Sequence, residues 1–135
     1  MAFAKQEPGR RTISTPRAPA AMGPYSQAVQ VGNTLYLAGQ IGLDPSTGEL
    51  VEGGIEAETR QALENLAAIL DEAGFTFVDV VQVQVFLADL EDYGAMNRVY
   101  GTYFAAAPPA RAVVEVSKIP RNAQVEITMI AVSGR

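Results

Sequence analysis

The chain has 135 residues, 48% of them hydrophobic, a formal net charge of −5, and neither His nor Cys. That length suits one domain with a real core, and the two missing residue types exclude imidazole catalysis, thiolate nucleophiles, disulfides and most zinc sites. The charge is uneven, +3 over residues 1–17 and −8 over the rest, and so acidic a body repels phosphate backbones, which excludes nucleic acid as an expected main partner.

Residues 1–11 read as a flexible tail ahead of a single domain, 12–135. Lys5, Arg10, Arg11, Ser14 and Arg17 give the start some likeness to a mitochondrial transit peptide, but Glu7-Pro8-Gly9 interrupts any amphipathic helix there. No apolar run approaches the roughly 20 residues that span a bilayer. No signal-peptide core is visible, so the expectation is a cytoplasmic protein with no membrane partner.

Residues 28–31 and 34–41 are β-rich, and Gly32-Asn33 between them is a two-residue hairpin signal. Residues 43–50, Leu-Asp-Pro-Ser-Thr-Gly-Glu-Leu, are dense in turn formers and predict an exposed loop. From Gly54 the period becomes helical, with Leu63, Leu66, Ile69, Leu70 and Ala73 on one stripe and Gly74 placed as a left-handed cap. Val81, Val83, Val85 and Leu87 then alternate with Gln82, Gln84 and Phe86 as a strand. A second helix is expected from Asp92, a capping residue, with Tyr93, Met96, Tyr100 and Tyr103 or Phe104 as its buried stripe. Two apolar strands follow, around 109–116 and 125–132.

The predicted order is β-β-α-β-α-β-β, an α+β layer with two helices on one face of a mixed sheet. The other face is neither polar nor dry, which suggests that it packs against copies of the chain.

The last two strands each carry one conspicuous charge, Arg111 and Glu126. A guanidinium fork is the natural clamp for a carboxylate, and a carboxylate can orient or deprotonate a water. If the strands pair, those two residues make a minimal site for hydrolysing a small carboxylic acid. The plainer alternative is a solvated face or a structural ion pair. Tyr25 reads equally as a packed turn aromatic, Asn97 as a backbone-bonding side chain, Gly39 as a point of close backbone approach and Glu115 as structural or rim.

From Thr12 to Val132 the chain resembles the Rid family of reactive intermediate deaminases, the YjgF-type proteins, and within it the RidA subgroup. The likeness rests on residues 21–28 (Ala-Met-Gly-Pro-Tyr-Ser-Gln-Ala), Ala38-Gly39-Gln40-Ile41, Asp44-Pro45 with Thr47-Gly48, the Gln61 to Leu66 helix, Asn97, and the Pro-Ala-Arg block at 109–111 followed by Val125-Glu126-Ile127. The resemblance implies a chorismate-mutase-like fold, a homotrimer with sites between subunits, and no cofactor. It also implies hydrolysis of short-chain 2-imino or enamino acids, such as 2-aminoacrylate, 2-iminopropanoate and 2-iminobutanoate, to 2-keto acids and ammonia. Carried over by position, Arg111 would bind the substrate carboxylate, Glu126 would place the attacking water, and Tyr25, Gly39 and Asn97 would line the pocket.

Three positions depart from many relatives: Val113 replaces a Cys, Ala38 replaces a Ser, and Thr128 replaces a second acid. Val113 and Ala38 retain only backbone groups toward substrate, which leaves room for a binding or chaperone-like module of reduced turnover. Endoribonuclease or translation-inhibiting activity, associated with some relatives, is disfavoured by the acidic body and the absence of His.

Overall fold

In the computed structural model, which describes residues 9–134, the order is β1 (Arg10–Ile13), β2 (Ala28–Val31), β3 (Thr34–Gln40), α1 (Gly54–Glu72), β4 (Val80–Leu87), α2 (Tyr93–Gly101), β5 (Ala110–Glu115) and β6 (Val125–Val132). The strands form one mixed sheet in the order β1-β2-β3-β6-β4-β5, antiparallel throughout except for the parallel β4–β5 pair. This is an α+β architecture with one sheet and two helices.

Alternation explains the layers. Along β6, Val125, Ile127, Met129 and Ala131 are buried while Glu126, Thr128 and Ile130 are partly exposed. Leu35 and Leu37 of β3 and Val83, Val85 and Leu87 of β4 join the buried side, where α1 contributes Leu63, Leu66, Ile69 and Leu70 and α2 contributes Met96 and Tyr100 to the same core. The helical spacing of these residues is what keeps them on one stripe. The α1 stripe ends as expected. Gly74 takes φ 83°, with its N–H bonded to the Asp71 carbonyl at 3.0 Å and that of Phe75 to the Leu70 carbonyl at 2.8 Å, the paired bonds of a Schellman cap.

Five sequence expectations are corrected. Eight residues of the expected tail, 1–8, lie outside the described residues, but Arg10 and Arg11 stand in β1 at the sheet edge, paired with Val31 and Gln30. With Ile13 its one apolar residue, that strand lacks a readable alternation. Along β4 the register shifts between Val80 and Gln82, leaving Val81 as the extra residue of a bulge, 47% exposed, with Val80 in the core in its place. Asp92 makes no capping bond. Asp89 instead accepts from the Glu91 N–H at 2.9 Å and starts a 3-10 turn, Leu90–Asp92, that leads into α2. Tyr93 is 39% exposed and so stands off the buried stripe.

The fifth correction matters most. β5 and β6 do not pair, because β4 lies between them. A helical crossover joins parallel strands, so β4-α2-β5 sets β5 beside β4, and β6 returns antiparallel on the other side of β4 to meet β3.

Candidate active site

Arg111 pairs across β4 with Val83, and Glu126 pairs with Phe86. Val83 and Phe86 are three residues apart on a regular stretch, so the two charged side chains leave opposite faces of the sheet. The minimal site expected from pairing Arg111 with Glu126 does not form within one chain. Each residue heads its own half-site.

The Arg111 half is built by α2. Tyr93, Asn97 and Tyr100 recur at helical spacing and meet the guanidinium together. Arg111 Nη1 donates to Asn97 Oδ1 at 2.7 Å and Nη2 donates to the Tyr93 hydroxyl at 2.7 Å. The guanidinium carbon stands 4.7 Å from the Tyr100 ring centroid and 5.6 Å from that of Tyr93, within cation–π range. Among the described residues no carboxylate pairs with Arg111. An unneutralised cation with donors to spare therefore faces a cavity of about 330 Å³ lined by Asn97, Tyr100, Phe104, Pro108 and Pro109. Burial raises the Tyr100 phenol above its ordinary pKa of 10.0, while the Arg111 charge pulls the other way. Glu115, on the same strand, accepts from the Leu90 N–H at 2.8 Å and ties the start of α2 to β5, a structural role.

The Glu126 half forms around a break in β3. The β3–β6 register shifts between Leu37 and Gln40, and Thr128 Oγ1 donates to the Leu37 carbonyl at 2.6 Å beside that break. Thr128 thus satisfies backbone where many relatives carry a second acid. The irregularity brings Gly39 under the Glu126 carboxylate. A Cβ at position 39 would collide with a carboxylate oxygen, so only glycine fits without displacement. Glu126 accepts no hydrogen bond from the described residues, and burial raises its carboxyl above the ordinary 4.5.

Its cavity, about 340 Å³, is lined among others by Met22, Tyr25, Gly39, Gln40 and Arg121. The wall from Pro19 to Tyr25 is pinned by the buried Gln27 side chain, whose Nε2 donates to the Thr15 and Pro19 carbonyls at 3.1 and 2.8 Å and whose Oε1 accepts from the Thr15 N–H at 2.7 Å.

Of the residues expected from the sequence, Arg111 and Asn97 meet in one half-site and Glu126, Gly39 and Tyr25 in the other. Val113 packs against the core on the Arg111 face, and Ala38 is half-buried with its N–H bonded to the Gln27 carbonyl at 2.9 Å; neither lines a half-site cavity. Tyr93, Tyr100 and Arg121 were missed. The tyrosines read as core, and only their spacing from Asn97 on one helix face could have singled them out. A larger cavity, about 520 Å³ along α1 between Arg17 and Phe77, contains none of the expected residues.

The family described as "Endoribonuclease L-PSP" matches residues 15–133. A "2-iminobutanoate/2-iminopropanoate deaminase" of Mus musculus is 55% identical over 125 residues, 93% of each chain. The solved structure of RidA from the Antarctic bacterium Psychrobacter sp. superposes with a TM-score of 0.89 at 47% identity, covering 92% of this chain and all of that one. Escherichia coli TdcF with bound serine gives 0.88 at 38% identity, covering 92% and 99%.

Proposed function

This chain belongs to the Endoribonuclease L-PSP family, in its RidA subgroup, and from that membership and the two half-sites we infer how it performs hydrolytic deamination of short-chain 2-imino and enamino acids. The observation that carries the reading is the pair of open charges, a cradled guanidinium without a carboxylate partner and a half-buried carboxylate without a donor among the described residues. The first suits the carboxylate of a small imino acid and the second suits a water. The serine bound to the TdcF relative is a molecule of that carboxylate-bearing kind.

Because the two charges leave opposite faces of the sheet, a working site needs Arg111 from one subunit and Glu126 from another. We read the assembly as a closed homotrimer of chorismate-mutase-like subunits, with three such junctions. The open sheet face supports this reading, since Tyr36, Val114 and Val132 are all more than a third exposed.

At a junction the chemistry is short. Arg111 holds the carboxylate while Glu126 accepts a proton from water as its oxygen bonds to the C=N carbon and the π electrons move to nitrogen. With the imine protonated, the resulting carbinolamine takes that proton back from Glu126 on nitrogen and so carries an ammonium leaving group, Glu126 accepts the hydroxyl proton as the C–N bond breaks, and 2-keto acid and ammonia part. An imine is already electrophilic, so orientation supplies much of the gain and general base catalysis about 10²- to 10⁴-fold.

The test couples an amino acid oxidase to the purified protein and follows keto acid release while semicarbazide traps free imine. Wild type should accelerate release, and Arg111→Ala and Glu126→Gln should fall to the spontaneous rate. Binding of 2-keto acids without any acceleration would identify a binding module instead. RNA cleavage, which the family's description suggests, should vanish on stringent repurification.

A further inference from the structure

We propose that Tyr93 is a positioning residue that sets the carboxylate clamp by fixing the rotation of the Arg111 guanidinium. The inference rests on the deaminase reading and deepens it. An arginine at a sheet edge has four side-chain torsions and loses about 2 kcal/mol of rotamer freedom when it is held. Asn97 Oδ1, 2.7 Å from Nη1, fixes one corner of the fork and leaves it free to turn about that bond. The Tyr93 hydroxyl, 2.7 Å from Nη2, fixes a second corner, and the Tyr100 ring at 4.7 Å defines the plane. Two corners and a face leave one orientation.

The protonation pattern is also determined. Guanidinium can only donate, so Tyr93 accepts here and its own O–H points away from Arg111. The backbone around Tyr93 is held from the same strand as Arg111: Glu115 accepts from Leu90 N–H and Asp89 accepts from Glu91 N–H just ahead of α2. β5 therefore carries the clamp residue and, through Glu115, anchors the turn that presents its orienting hydroxyl. Tyr93 is 39% exposed and packs little into the core, so its hydroxyl can be removed without unfolding the chain.

The experiment uses the full chain, with Tyr93→Phe compared with wild type, Arg111→Ala and the double variant. Tyr93→Phe should raise KM for 2-iminobutanoate about tenfold, the scale of a hydrogen bond to a charged group, with kcat within about twofold and Tm unchanged. The Kd for 2-oxobutanoate by calorimetry should rise by the same factor. In the Arg111→Ala background, where catalysis is already at the spontaneous rate, the comparison is made on the weakened Kd for 2-oxobutanoate, which the second substitution should leave unchanged because a residue acting through Arg111 has nothing left to position. Unchanged KM and Kd in Tyr93→Phe, or an equal further loss in the double variant, would overturn the proposal. If wild type binds 2-oxobutanoate but does not accelerate imine hydrolysis, the deaminase reading fails and Tyr93 is judged on Kd alone. Failure of wild type to bind 2-oxobutanoate would overturn both.

Discussion

Gly39 and Glu126 are packed so closely across the β3–β6 irregularity that the carboxyl carbon would lie 3.1 Å from a Cβ at position 39, with one oxygen nearer still. Gly39 has an ordinary φ, so the constraint is space and not backbone freedom. Gly39→Ala should therefore push aside the far end of one flexible side chain while leaving the sheet intact. We expect kcat/KM to fall by about tenfold or more, as a misplaced water-orienting group predicts, with a small change in Tm. Steady-state kinetics of Gly39→Ala beside thermal melts would settle it, and an unchanged kcat/KM at an unchanged Tm would mean that the close approach of Gly39 to Glu126 does not place the carboxylate.

The acid limb of the pH profile should belong to Glu126. Burial raises its carboxyl above 4.5 with no compensating donor among the described residues, so its ionised fraction is lost on acidification sooner than that of an ordinary glutamate. As pH falls through that raised value, kcat/KM should decline with a single protonation while the Kd for 2-oxobutanoate holds steady. Glu126→Gln should flatten this limb. A limb that survives in Glu126→Gln would assign the titration to another group, the substrate imine included.

Much of this molecule was legible in its sequence, and the limits have physical causes. Composition and periodicity located both helices and the five strands after β1, most clearly where an element buries one regular stripe, as α1 and β6 do. Gly32 at φ 59° makes the predicted hairpin turn, and the Asp44 side chain accepts from the Ser46 N–H at 2.8 Å in the predicted loop. What periodicity does not carry is pairing. Nothing in residues 109–116 and 125–132 says that β4 separates them, or that their partners on it, Val83 and Phe86, stand an odd three residues apart, which is what puts Arg111 and Glu126 on opposite faces. Val81 was misassigned because a bulge breaks alternation without changing composition. Tyr93 and Tyr100 were invisible as site residues because an aromatic on a helix stripe reads as core until an arginine is found against it.

Glu58 offers a separate test of the scaffold. It is buried at 3% exposure, and its Oε1 accepts from the Gln124 N–H at 2.7 Å, two residues ahead of Glu126. Burial raises its carboxyl above 4.5, opposed by the Gln124 bond and reinforced by the Asp92 charge. Because the folded value lies above the unfolded one, the folded chain holds the proton more tightly, and stability declines as pH rises through the interval between them. Glu58→Gln keeps an acceptor for Gln124 and removes the buried charge. Its Tm should exceed that of wild type by a few degrees at about pH 8, and the difference should vanish by about pH 4, where both are neutral. A Tm below that of wild type at both pH values would mean that the ionised carboxylate makes the better bond.

Separation of Arg111 from Glu126 makes the proposed subunit junction itself testable. Neither Arg111→Ala nor Glu126→Gln alone can build a complete site if each junction takes its guanidinium from one subunit and its carboxylate from the next. Mixed assemblies can. When the two variants are co-expressed in equal amounts and join at random, a junction is intact only where a Glu126→Gln subunit supplies Arg111 and an Arg111→Ala subunit supplies Glu126, which is about one junction in four for a closed ring. Activity of the mixture should therefore recover to about a quarter of wild type, while each variant alone stays at the spontaneous rate. Differently tagged subunits purified through both tags would confirm that the active species is the hybrid. If hybrids form and stay inactive, the two residues must meet some other way, and the shared-site reading falls with the junction that was meant to hold it.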